Sequence, residues 1–279
     1  MRGLSAASVP RRCGLLILIS VAGIACSTTG AAPPGVEATS APVPCEAVPV
    51  VALLLDKSRS APLSLVSPLT IGDLDPLIEL LRGCGGELAV GAIRDRAAAP
   101  MVRLYIQAPP DPPVRVSVPE VGNPMILAEQ RARAERAYND RLAAYEPVSR
   151  RWAMATDGAI QSFRDRVRAI FEEPPTSPST NIWAALRQAD LFLSETREGR
   201  SVNQTPQIPI RHVLVALSDG IQTTAGPAYR LQSKAELFVV NSAGETGVFA
   251  AMNARRFESF SATLRAVGAA DPPRVSGQD

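Results

Sequence analysis

The chain has 279 residues, 46% of them apolar, which gives one large domain enough material for a full core. Only 5% are aromatic, so Ala, Val, Leu and Ile must fill that core. The formal charge of +2 belongs to the first 25 residues. Without them 26 basic residues face 27 acidic ones, a charge of −1, and no basic surface remains to argue for nucleic acid.

Residues 1–25 read as a signal peptide. Arg2, Arg11 and Arg12 precede the apolar run LLILISVAGIA, which is too short for a good transmembrane helix and ends at Cys26. The ending Gly23-Ile24-Ala25-Cys26 resembles a bacterial lipobox, in which the cysteine becomes the lipidated N-terminus; Gly23 stands where a larger residue such as Leu is usual. Ordinary signal cleavage and an uncleaved anchor are the alternatives. Residues 26–44 are Pro, Ala, Thr and Ser without periodicity, the composition of a flexible tether.

From residue 45 to 270 strand and helix patterns alternate. Residues 48–55 are a continuous apolar run, as in a strand buried on both faces. Residues 69–82 carry apolar side chains at helical spacing, and Gly83, Gly85 and Gly86 end that pattern. Strands are expected at 87–93 and 101–107, close enough to form a hairpin. Residues 109–147 read as an insertion, first Pro-rich and then a charged helix. The helical pattern runs from about 125 to 173 with Pro147 interrupting it. In its second half Trp152, Ala155, Ala159, Phe163, Val167 and Ile170 mark one docking face. A helix at 182–194, strands at 211–217 and 236–240, and a final helix around 249–267 complete the domain. Residues 271–279 read as a disordered tail. Strands alternating with helices predict an α/β fold with a parallel sheet covered on both faces.

Of the four cysteines, Cys13 falls in the signal and Cys26 at its end. Cys45 and Cys84 remain as an even pair in an oxidising compartment. In a strand–helix–strand unit both lie at the edge where strands begin. A disulfide between them is expected, with two buried free thiols as the alternative.

Five oxygen-bearing residues stand at the ends of two of these apolar strands and ahead of one helix. Asp56, Ser58 and Ser60 follow the first strand, Thr180 precedes the helix at 182, and Asp219 follows the strand at 211–217. Carboxylates and hydroxyls together suit a hard divalent cation such as magnesium. Each alone reads equally well as a turn or helix-capping residue.

The order Asp56-x-Ser58-x-Ser60, then Thr180, then Asp219 resembles the metal-ion-dependent adhesion site of von Willebrand factor A domains. The resemblance runs over about residues 48–267. It implies a doubly wound, mostly parallel sheet flanked by helices. Ser58, Ser60 and Thr180 would bind Mg²⁺ directly, Asp56 and Asp219 largely through waters, and a partner protein's acidic residue would complete the coordination. The function implied is an envelope-tethered, metal-dependent protein-binding module, held to a membrane by the N-terminal lipid with its domain in the periplasm or outside the cell. Lys57 and Arg59 depart from expectation by placing positive charge near the cation. The alternatives are a metal-free structural envelope protein and a serine hydrolase using His212, the single histidine, with Ser58 or Ser218 and Asp219. No G-x-S-x-G elbow surrounds either serine, so an enzyme is not expected.

Overall fold

Seven consecutive buried residues make β1 (Val48–Asp56) the centre of the sheet. Its side chains alternate between two cores, as the pleat requires. Val51, Leu53 and Leu55 enter one core, and Val50, Ala52 and Leu54 enter the other. The computed structural model describes residues 45–59, 69–95, 100–118, 121, 123–199, 209–240 and 247–268. All belong to one unit, Pro42–Asp279. The signal, Cys26, the tether, Ser60 and the 271–279 tail lie outside the described residues.

The remaining strands are β2 (Gly86–Ile93), β3 (Val102–Ile106), β4 (Ile210–Leu217), β5 (Glu236–Val240) and β6 (Arg255–Phe257). Their order is β3-β2-β1-β4-β5-β6, a mixed and mostly parallel sheet. Only the β2–β3 pair is antiparallel, and it forms the expected hairpin. The protein is therefore α/β.

Helices cover both faces. Leu77, Ile78 and Leu81 of α1 (Asp75–Cys84) pack on the face of Leu53. So do Ile160, Phe163 and Val167 of α2 (Pro124–Glu172), and Phe260, Leu264 and Val267 of α4 (Phe260–Gly268). The opposite face receives Ile182, Leu186, Ala189 and Phe192 of α3 (Ile182–Gly199), with Phe249. No helix among the described residues is long and apolar enough to cross a membrane.

Cys45 and Cys84 form the expected disulfide, with Cα atoms 5.5 Å apart. It ties the entry of β1 to the end of α1. The chain then turns through Gly85 and Gly86, at φ +69° and +137°. At Gly86 a Cβ would lie 2.2 Å from the Pro49 carbonyl oxygen, so only glycine fits this approach.

Two expectations need correction. Pro147 does not end its helix: α2 runs unbroken for 49 residues, about 74 Å at ~1.5 Å per residue. Pro147 is exposed; it removes one N–H from the ladder and its ring crowds the carbonyl of Ala143, yet the helix continues through it. The single final helix at 249–267 is instead a 3-10 turn (Val248–Met252), the short edge strand β6 and α4. Asn253, in the left-handed region at φ +52°, breaks the helical path between them.

Candidate metal centre

β1 and β4 are parallel neighbours, with Leu55 opposite Leu217. Asp56 and the Ser218-Asp219 pair therefore emerge at the same end of the sheet. Asp56 is held from both sides. Its Oδ1 accepts the Ser58 N–H at 2.9 Å and its Oδ2 accepts the Ser218 hydroxyl at 2.6 Å. Burial pushes its pKa up from the ordinary value of 3.8. Hydrogen bonds from Ser218 and Ser58 oppose that shift, and the negative charge of Asp219 adds to it.

Asp219 is only 4% exposed. Its Oδ1 accepts the Ile221 N–H at 2.9 Å, closing an Asx turn. Gly220 follows at φ +77°, and its N–H donates to Ser218 Oγ at 3.1 Å. Asp219 Oδ2 is buried and has no hydrogen-bond partner. An orphaned carboxylate oxygen is costly to bury unless a cation or donor meets it.

Thr180 is fully buried, and the structure settles one alternative for it. The residue that caps α3 is Asn181, whose Oδ1 accepts the Ala184 N–H at 3.1 Å. The main chain of Thr180 is clasped by the loop after β4. Its N–H donates to Thr223 Oγ1 at 2.6 Å, and its carbonyl accepts the N–H groups of Thr223 and Thr224, both at 3.2 Å. Gln222 Oε1 accepts the N–H of Ile182 at 2.7 Å. These loop residues escaped the sequence reading. The polar run Gln222-Thr223-Thr224 directly after Asp219 was the available signal.

The segment between α2 and α3 brings Thr180 to this end of the sheet. Ser177 pairs with Ser58 as an isolated parallel bridge, donating to Lys57 O at 2.9 Å and accepting from Arg59 N at 3.0 Å. Ser177 Oγ accepts the Asp95 N–H at 2.9 Å, and Asn181 N donates to Arg94 O at 2.9 Å. Asp56, Ser58, Thr180 and Asp219 are thus held by one continuous hydrogen-bonded frame. Ser60, the fifth residue of the set, lies outside the described residues.

Lys57 and Arg59, the two positive charges expected near the cation, both reach main-chain carbonyls. Lys57 is buried, and its ammonium donates to Glu173 O at 2.7 Å and Phe171 O at 3.2 Å, at the end of α2. Arg59 Nε donates to Thr176 O at 3.2 Å. Both cations are taken up by main-chain carbonyls of residues 171–176. Burial lowers the Lys57 pKa, the Glu173 carboxylate works against that shift, and Arg94 adds to it.

The donor set fits a hard cation: an orphaned carboxylate oxygen, a second carboxylate and buried hydroxyls. Among the described residues no three His, Cys, Asp or Glu side chains cluster as a metal group. With two carboxylates, a cation here would need the hydroxyls as further ligands.

No family model matches the chain, and no curated protein matches it. Among solved structures, proximal thread matrix protein 1 of the mussel byssus is similar at 10% identity and TM-score 0.36, over 80% of this chain and 47% of that one. Another structure of the same protein gives 14% and 0.35, with 80% and 46% coverage. The pilus adhesin SpaC of Lactobacillus rhamnosus GG, in its open conformation, gives 9% and 0.37, over 79% of this chain and 29% of that one. The chain thus spans less than half the length of each. At this level of similarity they assign no family.

Proposed function

We propose that this chain is a von Willebrand factor A-type domain with a doubly wound sheet, whose adhesion site binds Mg²⁺ or another hard divalent cation through Asp56, Ser58, Ser60, Thr180 and Asp219. Its role is to grip a protein partner that presents an acidic residue. The strand order supports the reading. Chain direction along the sheet reverses between β1 and β4, the switch point where open α/β sheets place ligands. Asp56 and Asp219 leave from those two strands.

The observation that carries the proposal is Asp219 Oδ2, buried and unpartnered beside a second carboxylate. When bound, a divalent cation supplies the charge that this oxygen lacks and a coordination position for a partner's carboxylate. The residues' own task is to hold oxygens in place: Asp56 through Ser58 and Ser218, and Thr180 through Thr223 and Thr224.

The export reading belongs to the same proposal. Cys26 carries lipid, residues 27–44 tether the domain, and the domain works in the cell envelope. The Cys45–Cys84 disulfide supports an oxidising location. A non-enzymatic role is supported by His212, which pairs with Val50 near the start of β4. Asp219 lies seven positions further on, about 23 Å along an extended strand.

Thermal unfolding of the full-length protein with Mg²⁺ or EDTA tests the site. A ligand that binds only the folded form at about 100 times its Kd stabilises by ~2.7 kcal/mol. The melting point should rise with Mg²⁺, and Asp219→Asn should abolish the rise. An unchanged wild-type melting point would reject the metal and leave a structural envelope protein.

A further inference from the structure

β3 is an outer strand: it pairs with β2 and ends the sheet on that side. An outer strand presents a row of main-chain donors and acceptors that another strand can use. The opposite edge is blunted by its shortness and charge, since β6 has three residues and two of them are arginines. β3 has five residues, with Leu104 and Ile106 buried in the core. Its one charged side chain is drawn toward α3, where the Arg103 guanidinium pairs with Glu195 at 3.0 Å and lies 5.0 Å over the Phe192 ring.

Two side chains of α2 reach this edge. Arg166 Nη2 donates to Arg103 O at 2.8 Å, and Trp152 Nε1 donates to Gln107 O at 2.9 Å. Positions 152 and 166 are 14 residues apart, within about 40° of four whole turns, so both stand on one side of the helix. Arg166 is exposed and Trp152 half-buried. The docking of α2 on the core rests on Ile160, Phe163 and Val167 between and beside them. In an antiparallel pair, alternate residues turn their main-chain groups away from the neighbouring strand. Arg103, Tyr105 and Gln107 form that outward set, and α2 takes the first and last of its carbonyls.

We propose that these two contacts keep β3 closed to strand addition, and that the strand they exclude is β3 of a second copy of this chain. The excluded pairing is self-complementary. A two-fold axis at Tyr105 sets Arg103 opposite Gln107 twice and Tyr105 opposite its own copy. The two carbonyls that α2 covers are thus the two that the outer bonds of such a pair would use. No like charges meet in this register, whereas an axis at Arg103 would oppose two guanidiniums. Pairing of this kind would run the sheets of two copies into one. The contact is autoinhibitory: the side chains of α2 must leave the strand before its edge is available.

Sedimentation velocity of the full-length protein in density-matched detergent tests this. Trp152→Phe/Arg166→Met removes both donors and keeps the aromatic ring and the aliphatic stem. The wild type should sediment as one chain at about 100 µM, and the double variant should dimerise with a Kd at least about tenfold lower than that. Tyr105 is 58% exposed, so Tyr105→Lys leaves the fold intact. It opposes two like charges across the axis and should return the double variant to a single chain. Each single variant uncovers one carbonyl and should dimerise more weakly, which decides the matter if melting shows the double variant to be unfolded. Folded variants that stay monomeric throughout this range overturn the proposal. So does a dimer that Tyr105→Lys leaves intact, and so does a wild type that dimerises as tightly as the variants.

Discussion

The Lys57 ammonium and the Glu173 carbonyl lie 2.7 Å apart, which fastens the loop of the candidate site to the last turn of a 49-residue helix. A cation at a helix C-terminus meets the negative end of the helix dipole and carbonyls that have no partner within the helix. Arg94 reinforces the junction by pairing with the Glu173 carboxylate. Lys57 therefore serves the frame around the site.

This assignment predicts the behaviour of Lys57→Met. The variant keeps most of the aliphatic packing but leaves two carbonyls without their donor, and should lose about 2 kcal/mol of stability. Its Mg²⁺ affinity, measured by titration calorimetry, should change by less than about threefold. A tightening of about tenfold or more would show that the ammonium opposes the cation after all.

Asp219→Asn should act in opposite directions with and without metal. In EDTA the change removes a buried charge beside Asp56, and the variant should melt at the same temperature or higher, by about 1 kcal/mol. In saturating Mg²⁺ it should be the less stable protein, since the ~2.7 kcal/mol of ligand stabilisation is absent. Equal loss of stability in both buffers would mark Asp219 as purely structural.

The central strand was legible because an apolar run buried on both faces has few other uses, and the convergence of Asp56 and Asp219 follows from two such runs pairing in parallel. The partners of Lys57 were not legible from its proximity to Asp56 along the chain. Period-two alternation would have placed it on the face of Leu53 and Leu55, toward α2. β6 was not legible: three residues, Arg255–Phe257, carry too short a pattern, and Phe249, Phe257, Phe260 and Leu264 imitate helical spacing. Pro147 misled because a proline's local cost, about 3 kcal/mol, can be outweighed by the rest of a 49-residue helix. The clasp on Thr180 depends on a loop that folds back over 40 residues, which no local pattern records.

Reducing the Cys45–Cys84 bond should destabilise the domain without touching the site. The bridge spans 39 residues, and the chain-entropy model assigns about 4 kcal/mol to a loop of that size. The Cys45→Ser/Cys84→Ser variant should melt lower by that amount. Its Mg²⁺ affinity at a temperature where it remains folded should match the wild type. A change in affinity would show that the start of β1 communicates with its far end.

Tyr229 and Asp190 form a latch on the loop that clasps Thr180. Buried Asp190 on α3 accepts the Tyr229 hydroxyl at 2.7 Å and the N–H groups of Gln232 and Ser233 at 2.7 and 2.9 Å. Burial alone would raise the Asp190 pKa. The hydrogen bonds from Ser233, Gln232 and Tyr229 outweigh it and hold the carboxyl below its usual 3.8. A depressed folded value contributes stability that is present above pH 3.8 and lost as pH falls through the folded value. Tyr229 moves the other way. Burial, its bond to Asp190 and that residue's charge push it up to about 12, against a smaller pull from Arg187. An acid raised from 10 to about 12 loses stability as pH rises across that interval, since the folded state holds the proton longer. Tyr229→Phe should flatten the alkaline loss at a cost of about 1 kcal/mol near neutral pH. Asp190→Asn should flatten the acid limb, and at pH 7 should weaken Mg²⁺ binding although it touches none of the five proposed ligands. Unchanged affinity in Asp190→Asn, with the melting point lowered, would show that the latch stabilises the fold but does not position Thr180.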